Sequence, residues 1–436
     1  MDRFIKVIGA GLAGCEAALQ ITKHGIPVRL FEMKPGMMSP AHRSPSYAEL
    51  VCSNSFKSMS RDNASGLLKM EMERLGSAVL QSAMDCRVEA GNALAVDRDL
   101  FSGLMTRRIQ SDPMIEVVEG QVDALDVDIP TVVATGPLTG GGLTDSIMKR
   151  TGRENLYFFD AASPVVSKDS IDLQKVYFAT RYDKGDPDYI NCPMDQDEYG
   201  AFHSFLLGAK TVPLKDFEDR KIFEGCMPVE VMAKRGYDTL RFGPMRPVGL
   251  TDPHTGRQPF AVVQLRKDNK AGTLYNLVGF QTNLLFGEQK KLLELIPGLG
   301  NATIHRYGVM HKNTYINSPA LLNCHFQMRA HPDLFFAGQI TGVEGYLESS
   351  VSGIVAGLNA SRRFLGRKMA DFTIDTLTGA LQHYVSDGPA NHFQPMNANY
   401  GILKPPEKKI RKQDRKSFYM ERSLARMDEV LKSLIL

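Results

Sequence analysis

Phe4-Ile5-Lys6-Val7-Ile8-Gly9-Ala10-Gly11-Leu12-Ala13-Gly14 is the stretch whose reading decides the fold. A short β-rich run leads directly into a Gly-x-Gly-x-x-Gly turn. Residues 15–24 follow as a helix former stopped by Gly25, and after Pro27 a second strand, 28–31, ends in Glu32. Each part has a mechanical reason. Gly9 permits the tight turn, Gly11 lets backbone approach a pyrophosphate, and Gly14 lets helix pack on strand. The helix start offers unpaired N–H groups and positive dipole to phosphates. Glu32, 18 residues beyond Gly14, is placed to accept from ribose hydroxyls and disfavours a phosphorylated ribose. The turn Gly9, Ala10, Gly11, Leu12, Ala13 and Gly14 is therefore the candidate dinucleotide-binding loop, with Glu32 as its acidic partner.

Two distant segments bear on which dinucleotide. Thr131-Val132-Val133-Ala134-Thr135-Gly136 reads as a buried strand ending in a small-residue turn, and Asp333-Leu334-Phe335-Phe336-Ala337-Gly338 reads as another. The second continues through Gln339 to Tyr346 and then a small-residue helix over 349–360. Three such elements spread along the chain resemble the flavoproteins with two dinucleotide-binding domains, where the last strand returns to the flavin. A simple NAD dehydrogenase does not need that late return. The cofactor expected is FAD, with Thr135, Gly136, Gly338 and Gln339 as further contacts.

The rest of the composition narrows the class. The 436 residues are 43% hydrophobic and 23% charged, a soluble globular mix that suggests two or three domains. No apolar run reaches the roughly 18 residues that a bilayer span needs. Leu12-Ala13-Gly14-Cys15 also looks like a lipoprotein cleavage box, but its apolar region is short and rich in glycine. The six cysteines stand at 15, 52, 86, 192, 226 and 324, without a CxxC pair. Neither a zinc or iron–sulfur site nor a disulfide framework is expected, and reduced thiols point to the cytoplasm. No metal is expected.

Residues 151–324 read as an α+β insertion that interrupts a Rossmann-like α/β domain built from 1–150 and 325–436 around a parallel sheet. Strands are expected at 157–159, 175–178, 261–265 and 274–280, the last two able to pair, and a helix at 195–207. Between Lys404 and Arg422, eight basic residues face three acidic ones, leaving −2 for the rest of a chain whose net charge is +3. Met420, Leu424, Met427, Leu431 and Leu434 then form one apolar helical stripe. The basic run is either a solvated face or a phosphate-contacting surface.

Two irregular segments carry reactive side chains: Ala48-Glu49-Leu50-Val51-Cys52-Ser53-Asn54-Ser55-Phe56-Lys57-Ser58, and Glu224-Gly225-Cys226-Met227-Pro228. Cys15, Cys86, Cys192 and Cys324 read as small buried hydrophobes. Cys226 differs, because a Gly-Cys-x-Pro turn exposes a thiol whose thiolate Lys234 and Arg235 could favour.

Together GAGLAG, AELVCSNSFKS, EGCMPVEVMAKRG, RFGPMRPVGL, RYGVMHKNTYINSP, FFAGQITGVEGY and FQPMNANYG closely resemble the bacterial folate- and FAD-dependent tRNA (uracil-5-)-methyltransferases, from about residue 5 to 403. Only the basic tail lacks a family signature. The flavoproteins of the glucose-inhibited division protein A family, which modify a different tRNA uridine, are the nearest alternative. They share the glycine turn but are not expected to carry AELVCSNS. The resemblance implies a T-loop uridine of tRNA as substrate, methylenetetrahydrofolate as carbon donor, and FAD recharged by NAD(P)H. It also implies two functional cysteines, Cys52 and Cys226. Cys226 is expected to add to uracil C6, and Cys52 to handle a proton or stand on the flavin side. Tyr346 is a candidate to stack on the flavin or folate ring, a core role being the alternative. A general flavin oxidoreductase and a tRNA-binding protein holding FAD structurally are the rivals; neither explains two cysteine segments beside a basic tail. No stable protein partner is expected.

Overall fold

Five parallel strands stand in the order Leu334–Phe336, Thr131–Val133, Ile5–Ile8, Val28–Glu32 and Ile115–Glu119 in the computed structural model, which describes residues 3–126, 128–152, 156–183, 186–213, 227–388 and 390–435. The late return is therefore real: Phe335 lies opposite Val132, and Val132 opposite Val7. All three are fully buried, as a sheet covered on both faces requires.

The helix after the glycine turn runs Leu12–Thr22, starting three residues earlier than the sequence suggests. It lies against Tyr346–Phe364. The small residues of that later helix have a packing reason. A Cβ on Gly353 would overlap the Ala13 backbone, and one on Gly357 would come within 2.6 Å of the Ala17 carbonyl oxygen. Larger side chains on either helix would force the two backbones apart.

The insertion is built on a second, six-stranded sheet in the order Tyr177–Ala179, Tyr189–Met194, Ala261–Lys267, Leu274–Leu277, Val165–Ser167, Ile304–Arg306, with antiparallel pairing throughout. Ala261–Lys267 and Leu274–Leu277 pair as their alternation predicts, Leu265 opposite Leu277. The second strand stops three residues short of its expected end, ahead of Gly279, which adopts φ +74°. The expected helix is present as Gln196–Gly208, opened by a capping box of Asp195 and Glu198. Leu156–Ala161 and Met310–Tyr315 form a two-stranded ribbon where the chain enters and leaves this unit.

The buried apolar residues fall into two main cores. One draws on residues 5–147 and 315–430, the other on 166–299. The terminal helix Arg415–Ile435 joins the first core through its predicted stripe, with Met427 fully buried and Met420, Leu424, Leu431 and Leu434 packed beside it. Ser423, also fully buried, donates to the Glu71 carboxylate. Lys408, Lys409, Arg411 and Lys412 are exposed.

Candidate active site

The three glycines of the turn are required for three different reasons. Gly9 holds φ +96°, and a Cβ there would meet the Ala134 carbonyl oxygen at 2.7 Å. Gly14 faces Gly9, so that a Cβ would overlap the Gly9 carbonyl. Gly11 has φ −72°, open to any residue, and nothing of the protein lies within 4 Å of a Cβ built on it. Neither strain nor packing asks for glycine at Gly11. The open space beside it would admit a pyrophosphate against the backbone.

Ala10, Leu12 and Ala13 are buried around this turn. Glu32 is buried too, and its carboxylate closes the turn from behind: Oε2 accepts from the Ala10 N–H at 2.7 Å and Oε1 from the Lys34 N–H at 3.0 Å. Thr135 Oγ1 bonds Thr139 Oγ1 at 2.6 Å, and Gly136 turns at φ +72° with open space beside it. Gly338, at φ +81°, donates its N–H to Ser352 Oγ at 2.8 Å and lies against Ala13.

Past the carboxyl ends of these strands lies a cavity of about 330 Å³ whose far wall is the insertion. This is where an open α/β sheet binds its ligands. Pro137, Leu138 and Gln339 come from the sheet side, Cys52 and Lys57 from the AELVCSNSFKS segment, Arg266 and Asn276 from the insertion, and His311 and Asn313 from the ribbon. Glu344, Tyr346 and Asn397 complete it. Segments recognised separately in the sequence thus meet in one place. Two more reach its wall indirectly: Pro244 packs against Gly279, and the Val229 N–H donates to Gln281 O at 2.8 Å. Cys226 lies outside the described residues.

Cys52 is held by its backbone. The Tyr346 hydroxyl accepts from the Cys52 N–H at 2.9 Å and the Ser53 N–H at 3.2 Å, while the Cys52 thiol points to Ala161 O at 3.7 Å. The Tyr346 ring packs on Phe56, centroids 5.7 Å apart. Burial, then the neighbouring Cys52, raises the Tyr346 pKa, so its hydroxyl stays protonated. Sequence reasoning offered Tyr346 as a ring-stacking or core residue; in the structure its hydroxyl anchors the cysteine loop. Two residues on, Asn54 is fully buried and ties the two units together. Its amide donates to Val96 O at 3.0 Å and Lys267 O at 2.9 Å and accepts from Arg266 at 3.0 Å.

Of the other cysteines, Cys15 and Cys192 are buried with pKa values raised chiefly by desolvation. Cys324 is half-buried and pushed up to about 11 by burial, then Asp371 and Asp387. None of the three is a ready nucleophile.

Glu344 was not singled out from sequence. Its carboxyl is pushed up to about 8, first by burial and then by Glu348 and Asp160, against a lowering pull from Lys57. It is therefore largely protonated near neutrality while lining the same cavity as Cys52. Beside it, Lys57 and the buried Glu348 form an ion pair at 2.7 Å. A carboxyl titrating near neutrality can give or take a proton at working pH.

Comparison with known proteins agrees with this architecture. The family described as "Glucose inhibited division protein A" matches residues 4–368. "Methylenetetrahydrofolate--tRNA-(uracil-5-)-methyltransferase TrmFO" of Bacillus licheniformis is 52% identical over 435 residues, covering 100% of both chains. The chain belongs to the tRNA (uracil-5-)-methyltransferase branch of the glucose inhibited division protein A family. Its relatives of the same description in Bacillus subtilis and Acetivibrio thermocellus are 52% and 54% identical, covering 99% and 96% of each chain. Among solved structures, Aquifex aeolicus GidA superposes with a TM-score of 0.72 at 15% identity, spanning 100% of this chain and 76% of that one. That likeness shows the fold common to the family. No helix among the described residues is long and apolar enough to cross a membrane.

Proposed function

We propose that this chain methylates C5 of the T-loop uridine of tRNA, giving 5-methyluridine, with methylenetetrahydrofolate as carbon donor and FAD reduced by NAD(P)H. The observation that carries the reading is the cavity itself, in which the Cys52 loop, the end of the parallel sheet and the insertion wall face one another. We assign the dinucleotide to Gly9–Gly14, Glu32, Thr135, Gly136, Gly338 and Gln339. We divide the chain into a dinucleotide unit, 1–150 with 325–436, and an insertion, 151–324; the two apolar cores support a two-unit division, with residues 315–322 packing in the first. FAD bound there supplies the hydride that completes the methyl group.

The chain's own residues supply the rest. Uracil C5 is a poor nucleophile until a thiolate adds at C6 and makes an enolate. That addition is assigned to Cys226. Once C5 has bonded to the donated carbon, its hydrogen must leave as a proton and the thiolate must depart from C6, restoring the ring double bond. Cys52, fixed by the Tyr346 hydroxyl, stands in the cavity to accept that proton, and the protonated Glu344 to give one to the folate nitrogen as its bond to the transferred carbon breaks. The exposed lysines and arginines of the tail support contact with phosphate, and substrate and reductant of this kind place the reaction in the cytoplasm.

The test uses unmodified tRNA, methylenetetrahydrofolate and NADPH, followed by nucleoside analysis. Formation of 5-methyluridine is expected, and its absence overturns the reading. A tRNA with 5-fluorouridine at the target should trap wild-type protein covalently, because fluorine blocks loss of the C5 substituent. Cys226→Ala should not trap. Trapping that persists in Cys226→Ala but vanishes in Cys52→Ala exchanges the two roles.

A further inference from the structure

The insertion carries, beside the cavity, a surface that the chemistry above leaves unused. Phe242 is 83% exposed at the end of the short helix Thr239–Phe242, and Tyr182 is 57% exposed. Tyr182 is held in place rather than dangling. It adopts φ +60°, its N–H donates to Gly249 O at 2.7 Å, and its ring covers Gly249, where a Cβ would come within 2.9 Å.

Two guanidiniums lie close to these rings along the chain, Arg181 directly before Tyr182 and Arg246 four residues past Phe242. Arg181 donates to Gln264 Oε1 at 2.9 and 3.2 Å and to Val248 O at 2.9 Å, all neutral acceptors. Arg246 is exposed and close enough that, after burial, it is the largest influence lowering the Arg181 pKa. Among the described residues, neither guanidinium forms an ion pair with a carboxylate. Asp252 is buried and accepts from His254 and Thr255, Asp238 pairs with Arg241, and Asp188 accepts from the Gly91 N–H. The patch touches the cavity wall in two places. Pro244, two residues past Phe242, packs on Gly279, and Gln264 is two residues along its strand from Arg266.

We propose that Arg181, Tyr182, Phe242 and Arg246 form the docking surface for the tRNA strand that carries the target uridine. Cations alternating with exposed rings suit a chain that alternates phosphates with stackable bases. Nearness to the cavity mouth lets the flanking nucleotides sit on this surface while one base enters. The proposal rests on the tRNA substrate proposed above.

The experiment measures tRNA binding by the full-length flavoprotein across a salt series, with flavin content as the check on folding. Arg246→Ala should raise Kd about tenfold at low salt and reduce the slope of log Kd against log salt by about one, the loss of one phosphate contact. Phe242→Ala should raise Kd about 5- to 50-fold with the slope unchanged, as loss of one stacked base does. Arg246→Lys and Phe242→Tyr should largely restore binding. Unchanged Kd in both alanine variants overturns the proposal. So does an effect confined to KM for NADPH, which would make the patch a nicotinamide-cofactor site, or a change confined to self-association. A wild-type protein that binds tRNA through these residues but forms no 5-methyluridine would leave the docking surface standing and overturn the methylation reading instead.

Discussion

Gly11 and Gly14 stand three residues apart and answer to different neighbours. Gly14 is closed in by the Gly9 carbonyl, whereas Gly11 faces space that no protein atom fills. Gly14→Ala should therefore destabilise the fold, by about 1–3 kcal/mol if the overlap is relieved by backbone shifts. Gly11→Val should lose its flavin yet melt close to the flavin-free wild type. Thermal melting together with flavin absorbance separates the two. A Gly11→Val protein that keeps full flavin would move the cofactor away from this turn. At this scale one local motif holds both a packing constraint and a binding constraint, and only the geometry tells them apart.

The helix Leu377–Asp387 shows how an element is fixed at both ends. At its start, the buried Glu71 carboxylate accepts from the Leu377 and Thr378 N–H groups at 2.8 and 2.7 Å, negative charge at the positive end of a helix. The same carboxylate accepts from Ser423, which ties in the terminal helix. Toward its end, His383 bonds Asp371 at 3.0 Å and Asp387 at 2.8 Å. These bonds, Asp371 first, push the His383 pKa up to about 9 from an ordinary 6.5. The folded state thus holds the imidazolium more tightly than the unfolded chain does. That contribution is complete below 6.5 and is lost as pH rises through about 9. Because Asp371 and Asp387 are partly exposed and screened by solvent, His383→Gln should cost only on the order of 1–2 kcal/mol at about pH 6. It should cost little above about pH 9.5. Melting curves for wild type and variant at the two pH values check this; a gap that widens with rising pH would contradict it.

Across the whole molecule, a buried ion pair joins the two units. Arg98, on the helix Arg98–Gln110 of the sheet-bearing unit, meets Asp268 at 3.1 Å, just beyond the strand Ala261–Lys267 of the insertion. Both are almost fully buried, and Arg98 also donates to Leu50 O, two residues before Cys52. The pair therefore sets the distance between the walls of the cavity and steadies the cysteine loop. Arg98→Met leaves Asp268 buried and unpaired, which should cost about 3–5 kcal/mol. Adding Asp268→Leu should recover much of that loss, since a buried pair replaced by apolar groups is often neutral. Methylation should not recover, because the bond to Leu50 stays missing. Melting and methylation assays on both variants test this, and a double variant with wild-type activity would remove Arg98 from the positioning of Cys52.

The sequence by itself determined the parallel core of this protein. Gly9, Gly11, Gly14 and Glu32 are a short-range pattern, and apolar runs such as Thr131–Val133 and Leu334–Phe336 announce buried strands wherever they occur, because backbone geometry and burial act over a few residues. Cys52 was singled out only through the resemblance of its segment, residues 48–58, to the tRNA methyltransferases, and not by a local rule. Glu344 was not singled out at all. Nothing in Gly-Val-Glu-Gly-Tyr distinguishes a surface glutamate from one pushed up to about 8; that shift comes from burial beside Glu348 and Asp160, the latter 184 positions away in the chain. The second role of Tyr346 was hidden likewise, since its hydroxyl meets the Cys52 N–H across 294 positions. Arg181 and Arg246, 65 positions apart, are unremarkable in the chain until the fold brings one near enough to lower the other's pKa. Local sequence specifies which residues are buried or turned, but desolvation, charge proximity and hydrogen bonding across the cavity depend on distances that only the packed tertiary structure creates.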